Sequence, residues 1–167
     1  MEILSTQRLT ISEAQLSDRQ FFYDLMNSSG WLQYIGDRGI HTLGDAENYI
    51  QNSLLASYQA NDFGLYKLSL KSNTVSIGIC GFLKREYLEQ VDIGFAMLPD
   101  YTGRGLMKEA AMALIQKAQS DQVWTKILAI TSPENERSKG LLRTLGFQEK
   151  GLIQPNQEPI LLFERKL

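Results

Sequence analysis

Two glycines, Gly103 and Gly105, bracket Arg104 between the end of an apolar strand and the start of a long helical pattern. The stretch reads Asp92-Ile93-Gly94-Phe95-Ala96-Met97-Leu98-Pro99-Asp100-Tyr101-Thr102-Gly103-Arg104-Gly105-Leu106-Met107-Lys108-Glu109. The first turn of a helix has four backbone N–H groups without internal partners, and the macrodipole adds partial positive charge there. Glycines let a phosphate reach the main chain with no Cβ in the way. The turn from Tyr101 to Leu106 is therefore suited to a pyrophosphate, and Arg104 could add a charge-assisted contact to it. Two glycines at a strand–helix turn can also do no more than relieve backbone strain.

Rival nucleotide motifs do not fit. A Walker A loop needs Gly-Lys-Ser/Thr, and Gly105 is followed by Leu106. A Rossmann fingerprint needs a third glycine where Lys108 stands, and it belongs early in a βαβ unit.

Periodicity places this segment within the chain. Leu4 to Ala14 reads as a strand, and Ser17 as the cap of a helix carrying Phe21, Phe22, Leu25 and Met26. Trp31 to Thr42 reads as a loop, and Gly44 to Ala60 as a second helix. Gly64 to Leu70, Val75 to Lys84 and Gln90 to Leu98 read as strands. Gly103 to Gln119 is the clearest helix, with Leu106, Ala110, Ala113, Leu114 and Lys117 at a 3.6 period. A strand over Lys126 to Thr131 and a helix over Glu134 to Leu145 follow, with Gly146 as its cap. Phe147 to Ile153 and Pro159 to Lys166 close the chain as strands. The strand ending at Leu98, the helix and the strand at Lys126 form a βαβ unit with parallel strands. The remaining connections are of hairpin length. These elements predict one α/β (α+β layered) domain over residues 1–167, with a mixed sheet of about seven strands and about four helices.

Composition narrows the function classes. The 167 residues are 43% hydrophobic and 22% charged, ordinary for a globular domain. A net charge of -2 offers no basic field for nucleic acid or anionic lipid. Cys80 is the only cysteine, so neither an internal disulfide nor a CxxC metal site is available, and its apolar setting suggests core filler. No stretch approaches the length of a membrane span, and Met1 to Ile11 lacks the pattern of a secretory signal. The expected address is cytoplasmic, without nucleic-acid, membrane or metal partners, and the expected state a monomer or homodimer.

The glycine-bearing segment resembles the acetyl-CoA loop of the GNAT superfamily of N-acetyltransferases, in its RimJ/RimL-like branch. That loop reads strand, Pro, aromatic, Gly-basic-Gly, aliphatic, Glu-Ala; here Leu98-Pro99, Tyr101, Gly103-Arg104-Gly105, Leu106-Met107 and Glu109-Ala110. Leu4-Ser5-Thr6-Gln7-Arg8-Leu9 is similar to the family's opening strand, and Ile77-Gly78-Ile79-Cys80-Gly81 to its third. Asn135-Glu136-Arg137-Ser138 with Leu145-Gly146-Phe147 is similar to its last helix and turn. The resemblance implies a mostly antiparallel sheet with one splayed parallel pair, and acetyl-CoA as acyl donor. It sets the pantetheine arm along Phe95, Ala96, Met97 and Leu98, and the pyrophosphate at Tyr101, Thr102, Gly103, Arg104, Gly105, Leu106 and Met107. It gives Asn135 the pantetheine end, although Asn135 also suits a helix cap. Many members carry a tyrosine as general acid four residues before the Gly-Phe pair; Leu142 stands there instead. Ser138 becomes the candidate acid, against a plain surface serine.

Acetyl transfer needs a neutral amine. A lysine-like amine, with a pKa of about 10.4, costs about 4.6 kcal/mol to neutralise at pH 7, an α-amino group only about 1 kcal/mol. A general base is therefore needed for the first and merely useful for the second. Asp92, where RimL-like relatives often carry Glu, is the leading candidate. Strand alternation puts it opposite Val91 and Ile93, free of burial among them, although a surface aspartate fits as well. His41, the only histidine, titrates in the right range. It shares its loop with Trp31, Tyr34, Asp37 and Arg38, a mix suited either to acceptor recognition or to covering the sheet edge. Two functions stay open: an N-acetyltransferase acting on a protein N-terminus, small amine or amine-bearing antibiotic, and a silent acyl-CoA-binding sensor.

Overall fold

The computed structural model describes residues 1–167. The expected first strand is instead a hairpin of β1 (Glu2–Ser5) and β2 (Leu9–Ser12). Thr6 N–H donates to Leu9 O at 2.9 Å and Leu9 N–H to Thr6 Oγ1 at 3.1 Å, so the chain turns at Thr6-Gln7-Arg8. The apolar alternation of Leu9 and Ile11 belongs to β2 alone, where both are fully buried.

The helical layer follows: α1 (Arg19–Met26), α2 (Ser29–Tyr34) and α3 (Leu43–Tyr49). A π-helical stretch over Ile50–Leu55 runs from α3 into α4 (Ala56–Asn61), so the expected second helix is one rod with a widened middle. Helix α2 corrects the expected loop from Trp31 to Thr42. Trp31 is 6% exposed, and its burial holds a helical turn that Gly30 and Gly36 disguise in the sequence. Thr42 and Asp45 form a reciprocal capping box that starts α3.

The sheet continues with β3 (Leu65–Leu70), β4 (Ser76–Leu83) and β5 (Asp92–Met97). After it come α5 (Leu106–Ser120), β6 (Lys126–Thr131), α6 (Glu136–Thr144), β7 (Gln148–Ile153) and β8 (Ile160–Lys166). Eight strands lie in the order β1-β2-β3-β4-β5-β6-β8-β7, one more than expected because of the opening hairpin. Only β5 and β6, joined through α5, run parallel. Helix α5 begins later than Gly103, since Gly103 and Gly105 both take positive φ (77° and 74°). Gly146 (φ 84°) ends α6, with Gly146 N–H on Arg143 O and Phe147 N–H on Leu142 O, both 3.0 Å.

The sheet buries both faces. One packs Cys80, Phe82, Ile93 and Phe163 against Leu106, Ala110 and Leu114 of α5 and Leu142 of α6. The other packs Leu65 and Ile79 under Phe22, Leu25, Trp31, Ala46 and Ile50 of the helical layer. Cys80 is fully buried and burial pushes its thiol far above the ordinary range, which makes it inert filler.

Candidate cofactor and acceptor site

The parallel pair opens almost as soon as it forms. Its ladder consists of one position, Asp92 opposite Leu128, beside the bond from Leu128 N–H to Val91 O at 2.9 Å. Leu98 N–H donates to Ile77 O at 2.8 Å, toward β4. Backbone direction alternates along a strand, so the amides and carbonyls of Phe95 and Met97 point to the open side, away from β4. Residues Gly94 to Leu98 are all partly exposed, whereas Val91, Asp92 and Ile93 are buried. The side chains of Phe95 and Met97 pack toward α5, and those of Ala96 and Leu98 toward the helical layer.

The open strand runs directly into the glycine turn. Pro99–Tyr101 forms one 3-10 turn, and Thr102 Oγ1 donates to Pro99 O at 2.7 Å. No heavy atom would lie within 4 Å of a Cβ on Gly103. A Cβ on Gly105 would meet only Arg8 Nη2, at 3.6 Å. Apart from the Arg8 guanidinium, no side chain crowds the two glycines, and no side chain caps the first amides of α5. This cradle fits a pyrophosphate, by the geometry of its donors and the lack of steric obstruction. Arg104 lies back on the turn, with Nη2 on Asp100 O at 3.0 Å and its guanidinium 5.5 Å from the Tyr101 ring centre. It braces the turn as well as lending charge to it.

Across the opening stands the start of α6. Asn135 caps it, its Oδ1 accepting from Ser138 N–H at 3.1 Å, which leaves the amide Nδ2 for other partners. Ser138 is buried, and its hydroxyl has no hydrogen-bond partner within the chain. Leu142, one turn on, is fully buried in the α5–α6 core.

Asp92 departs from the expected picture. Alternation does place it opposite Val91 and Ile93, but both faces are covered there, and Asp92 is 0% exposed. Neither a surface aspartate nor a freely solvated one describes it. Arg85 Nε donates to both of its carboxylate oxygens, at 3.0 and 3.1 Å. Burial pushes the Asp92 carboxyl up and Arg85 pulls it back, with a net rise. Asp92 opposes Leu83 on one side and Leu128 on the other, which fixes its face as that of the helical layer. Tyr49 of α3 belongs to the same neighbourhood. Burial raises its hydroxyl, and the fields of Arg38 and Arg85 oppose the rise. Neither Arg85 nor Tyr49 stands out in the sequence as a site residue. Only the β4–β5 register, which sets Leu83 against Asp92, brings Arg85 to the carboxylate.

The four residues expected to recognise the acceptor divide. Trp31 lies in the core of the helical layer, its indole N–H without a partner. Tyr34 is exposed at the end of α2. Asp37 and His41 form an exposed pair, Oδ2 to Nε2 at 3.5 Å. On Asp92's face, a cavity of about 390 Å³ lies beside Leu128, lined by Tyr87, Leu88, Ile153, Pro155 and Leu162 with a polar rim of Glu89, Gln154 and Glu164. A larger hollow of about 600 Å³, around Thr144, Gln148, Lys150 and Arg165, holds none of these site residues. No three His, Cys, Asp or Glu side chains gather as a metal site, and no helix is long and apolar enough to cross a membrane.

The family model of the acetyltransferase (GNAT) domain matches residues 8–148. The chain belongs to the GNAT acetyltransferase family. It is 29% identical to an uncharacterised N-acetyltransferase of Bacillus licheniformis over 157 residues, 92% of this chain and 86% of that protein. Over 91 residues, 53% of this chain and 45% of the other, it is 34% identical to the [ribosomal protein uS5]-alanine N-acetyltransferase of Escherichia coli. Its fold is shared with RimL, a ribosomal L7/L12 alpha-N-protein acetyltransferase solved in complex with coenzyme A. The TM-score is 0.84 at 15% identity, covering 100% of this chain and 98% of that one. As a GNAT domain, the chain is an acetyltransferase, with the mostly antiparallel sheet and single parallel pair expected of one.

Proposed function

We propose that this GNAT acetyltransferase takes the acetyl group of acetyl-CoA and transfers it directly to an α-amino group, in the manner of the RimJ/RimL-like branch. The observation that carries the reading is the continuity of two binding surfaces. The unpaired edge of β5 at Phe95 and Met97 leads straight into the open turn at Gly103 and Gly105. Acetyl-CoA supplies the acetyl thioester; the rest is positioning by this chain. The edge of β5 from Phe95 to Leu98 pairs with pantetheine amides, and Asn135 Nδ2 holds the same arm from the α6 side. The turn from Tyr101 to Met107 takes the pyrophosphate. Phe95 N–H suits the thioester oxygen, where negative charge develops in the transition state.

Asp92 acts as proton acceptor, directly or through water, and Ser138 as donor to the departing thiolate. Asp92 is buried and engaged by Arg85, which makes it a restrained base. A restrained base suits an acceptor that needs little help. An α-amino group requires about 1 kcal/mol to be neutral at pH 7, against about 4.6 kcal/mol for a lysine-like amine. Escherichia coli's relative, which acts on the alanine of a ribosomal protein, supports a protein or peptide N-terminus. Tyr34, Asp37 and His41 would frame that terminus from the helical layer, whereas Trp31 is core beneath them. The proposed setting is the cytoplasm, as a monomer or homodimer, without nucleic-acid or membrane partners.

An acceptor screen with free-thiol detection tests this reading. Peptides with varied N-termini should release CoA at neutral pH far faster than polyamines or aminoglycosides. Turnover confined to polyamines or aminoglycosides would overturn the α-amine assignment. Binding of acetyl-CoA without turnover on any panel member would overturn the catalytic roles.

A further inference from the structure

The opening hairpin reaches the glycine turn through one side chain. Arg8, in the turn between β1 and β2, donates its N–H to Glu109 Oε1 at 2.8 Å and its Nε to Glu109 Oε2 at 2.7 Å. Thr6 Oγ1 also donates to Glu109 Oε1, at 2.6 Å. Arg8 Nη1 donates to the carbonyl of Arg104, at 2.9 Å, inside the glycine turn itself. The hairpin is in turn fixed to β3, through Lys71 N–H on Arg8 O at 2.9 Å and Lys71 Nζ on Thr6 O.

Nη2 has no hydrogen-bond partner within the chain, and it lies 3.6 Å from the place a Cβ on Gly105 would occupy. It therefore walls the cradle whose other side is the free amides of α5. Glu109, in the first turn of α5, would otherwise repel an anion brought to those amides. Both of its oxygens are engaged by Thr6 and Arg8, which balances that charge. An arginine fork fixed by two of its nitrogens, with the third facing an anion cradle, is preorganised for phosphate.

We propose that Arg8 is a phosphate-binding residue of the cofactor site, presented by the β1–β2 hairpin and held in place by Glu109 and the Arg104 carbonyl. The proposal rests on acetyl-CoA being the donor. Its Nη2 contacts a phosphate oxygen of the cofactor, and its other contacts hold the glycine turn in shape.

Calorimetry with CoA and with 3′-dephospho-CoA, joined to kinetics with S-acetylpantetheine, tests it. Arg8→Ala should weaken CoA binding about tenfold or more, the scale of one charge-assisted hydrogen bond. Arg8→Lys, which keeps the charge and most of the stem, should fall between parent and Arg8→Ala because it cannot hold three contacts at once. If the loss persists with 3′-dephospho-CoA, the pyrophosphate is the partner; if it vanishes there, the 3′-phosphate is. Either outcome supports the proposal. The penalty should be confined to phosphate-bearing cofactors, with kcat/KM for S-acetylpantetheine in both variants within about twofold of the parent. An equal loss with S-acetylpantetheine would reduce Arg8 to a fold residue and overturn the proposal, as would unchanged CoA affinity in both variants. Absence of CoA binding by the parent itself would instead overturn the donor assignment.

Discussion

The two halves of the proposed site are built from different materials. On the proposed cofactor side, most of the working groups are backbone amides, with the Arg8 guanidinium beside them: the edge of β5 at Phe95 and Met97, the turn at Gly103 and Gly105, and the first turn of α5. They follow one another within a single stretch of chain. On the proposed acceptor side, the groups are side chains drawn from distant positions: Asp92 and Arg85 across the β4–β5 turn, Tyr49 from α3 and Arg38 from the segment before it. A site made of backbone is fixed once its strand and helix form. A site made of side chains depends on register and on packing between layers. Substitutions in the backbone-built turn should therefore act through shape, and those on the acceptor side through charge and pH.

The largest effect should come from filling the cradle. Gly105→Glu places a side chain and a negative charge on a residue at φ 74°, beside the amides proposed to take the pyrophosphate. CoA affinity should fall below detection in calorimetry while far-UV circular dichroism stays native. Left-handed backbone costs a non-glycine residue about 1–2 kcal/mol, so the domain should remain folded. Gly105→Ala separates strain from obstruction, with a loss of at most about tenfold, since a Cβ meets only Arg8 Nη2. Parental CoA affinity in Gly105→Glu would remove the turn from the cofactor site and end the contrast between the two halves.

Asp92→Asn probes the acceptor side. If Asp92 takes the amine proton, kcat/KM should drop on the order of 10²-fold near pH 7, the lower end of general-base contributions. The deficit should shrink as pH rises toward the amine's own pKa, because more acceptor is already neutral. Arg85→Met sharpens the test. Arg85 opposes the rise that burial imposes on Asp92, so its loss should carry the carboxyl still higher. The acid limb of the pH–rate profile should move toward higher pH, since a base must be ionised to work. A profile for Asp92→Asn that parallels the parent at every pH would leave Asp92 as only a partner of Arg85.

This division also explains what could be read in advance. The β5–α5–β6 unit, its glycine turn and the Gly146 cap were all readable, because each is specified by neighbours in sequence. The opening hairpin was not: Thr6-Gln7-Arg8 carries no glycine or proline, and its turn is made by the Thr6 hydroxyl and by Arg8's reach to Glu109 in α5. Helix α2 was hidden by Gly30 and Gly36, its stability resting on the burial of Trp31. The burial of Asp92 needs the helical layer in place over its face. Strand alternation gives its direction but not whether that face is covered. Arg85 and Tyr49 became visible only through register.

A smaller effect is expected at Ser138, where the two halves meet. Ser138 is a buried residue at the start of α6, and its hydroxyl has no hydrogen-bond partner in the chain. Ser138→Ala should lower kcat about tenfold, less than the usual 10²–10⁴ for a positioned acid because water can take its place. KM for acetyl-CoA should hardly move, since an acid acts in the transition state and not on the resting cofactor. Equal kcat with raised KM would turn Ser138 into a binding residue and shift it to the cofactor half.

The smallest effect should appear in stability, and it asks whether the cofactor half contains any titrating part. Burial alone would raise the Glu109 carboxyl, but the bonds from Thr6 and Arg8 outweigh it and hold it below its ordinary value. A depressed carboxyl contributes to folding where it is ionised in both states, above the ordinary carboxylate pKa of about 4.3. That contribution is lost as pH falls from there through the lowered native value. The melting temperature of Glu109→Gln should thus lie below the parent's by a constant margin at neutral pH, and the gap should close under acid. The pair is partly exposed, with 45% of the Arg8 side chain accessible, so the margin should be a few degrees and shrink in high salt. Because Glu109 anchors the hairpin to the glycine turn, CoA affinity in this variant should fall in parallel, again only above the acid range. A gap that stays constant down to pH 3 would mean that Glu109 works by shape alone, leaving the cofactor half a backbone device with no titrating part.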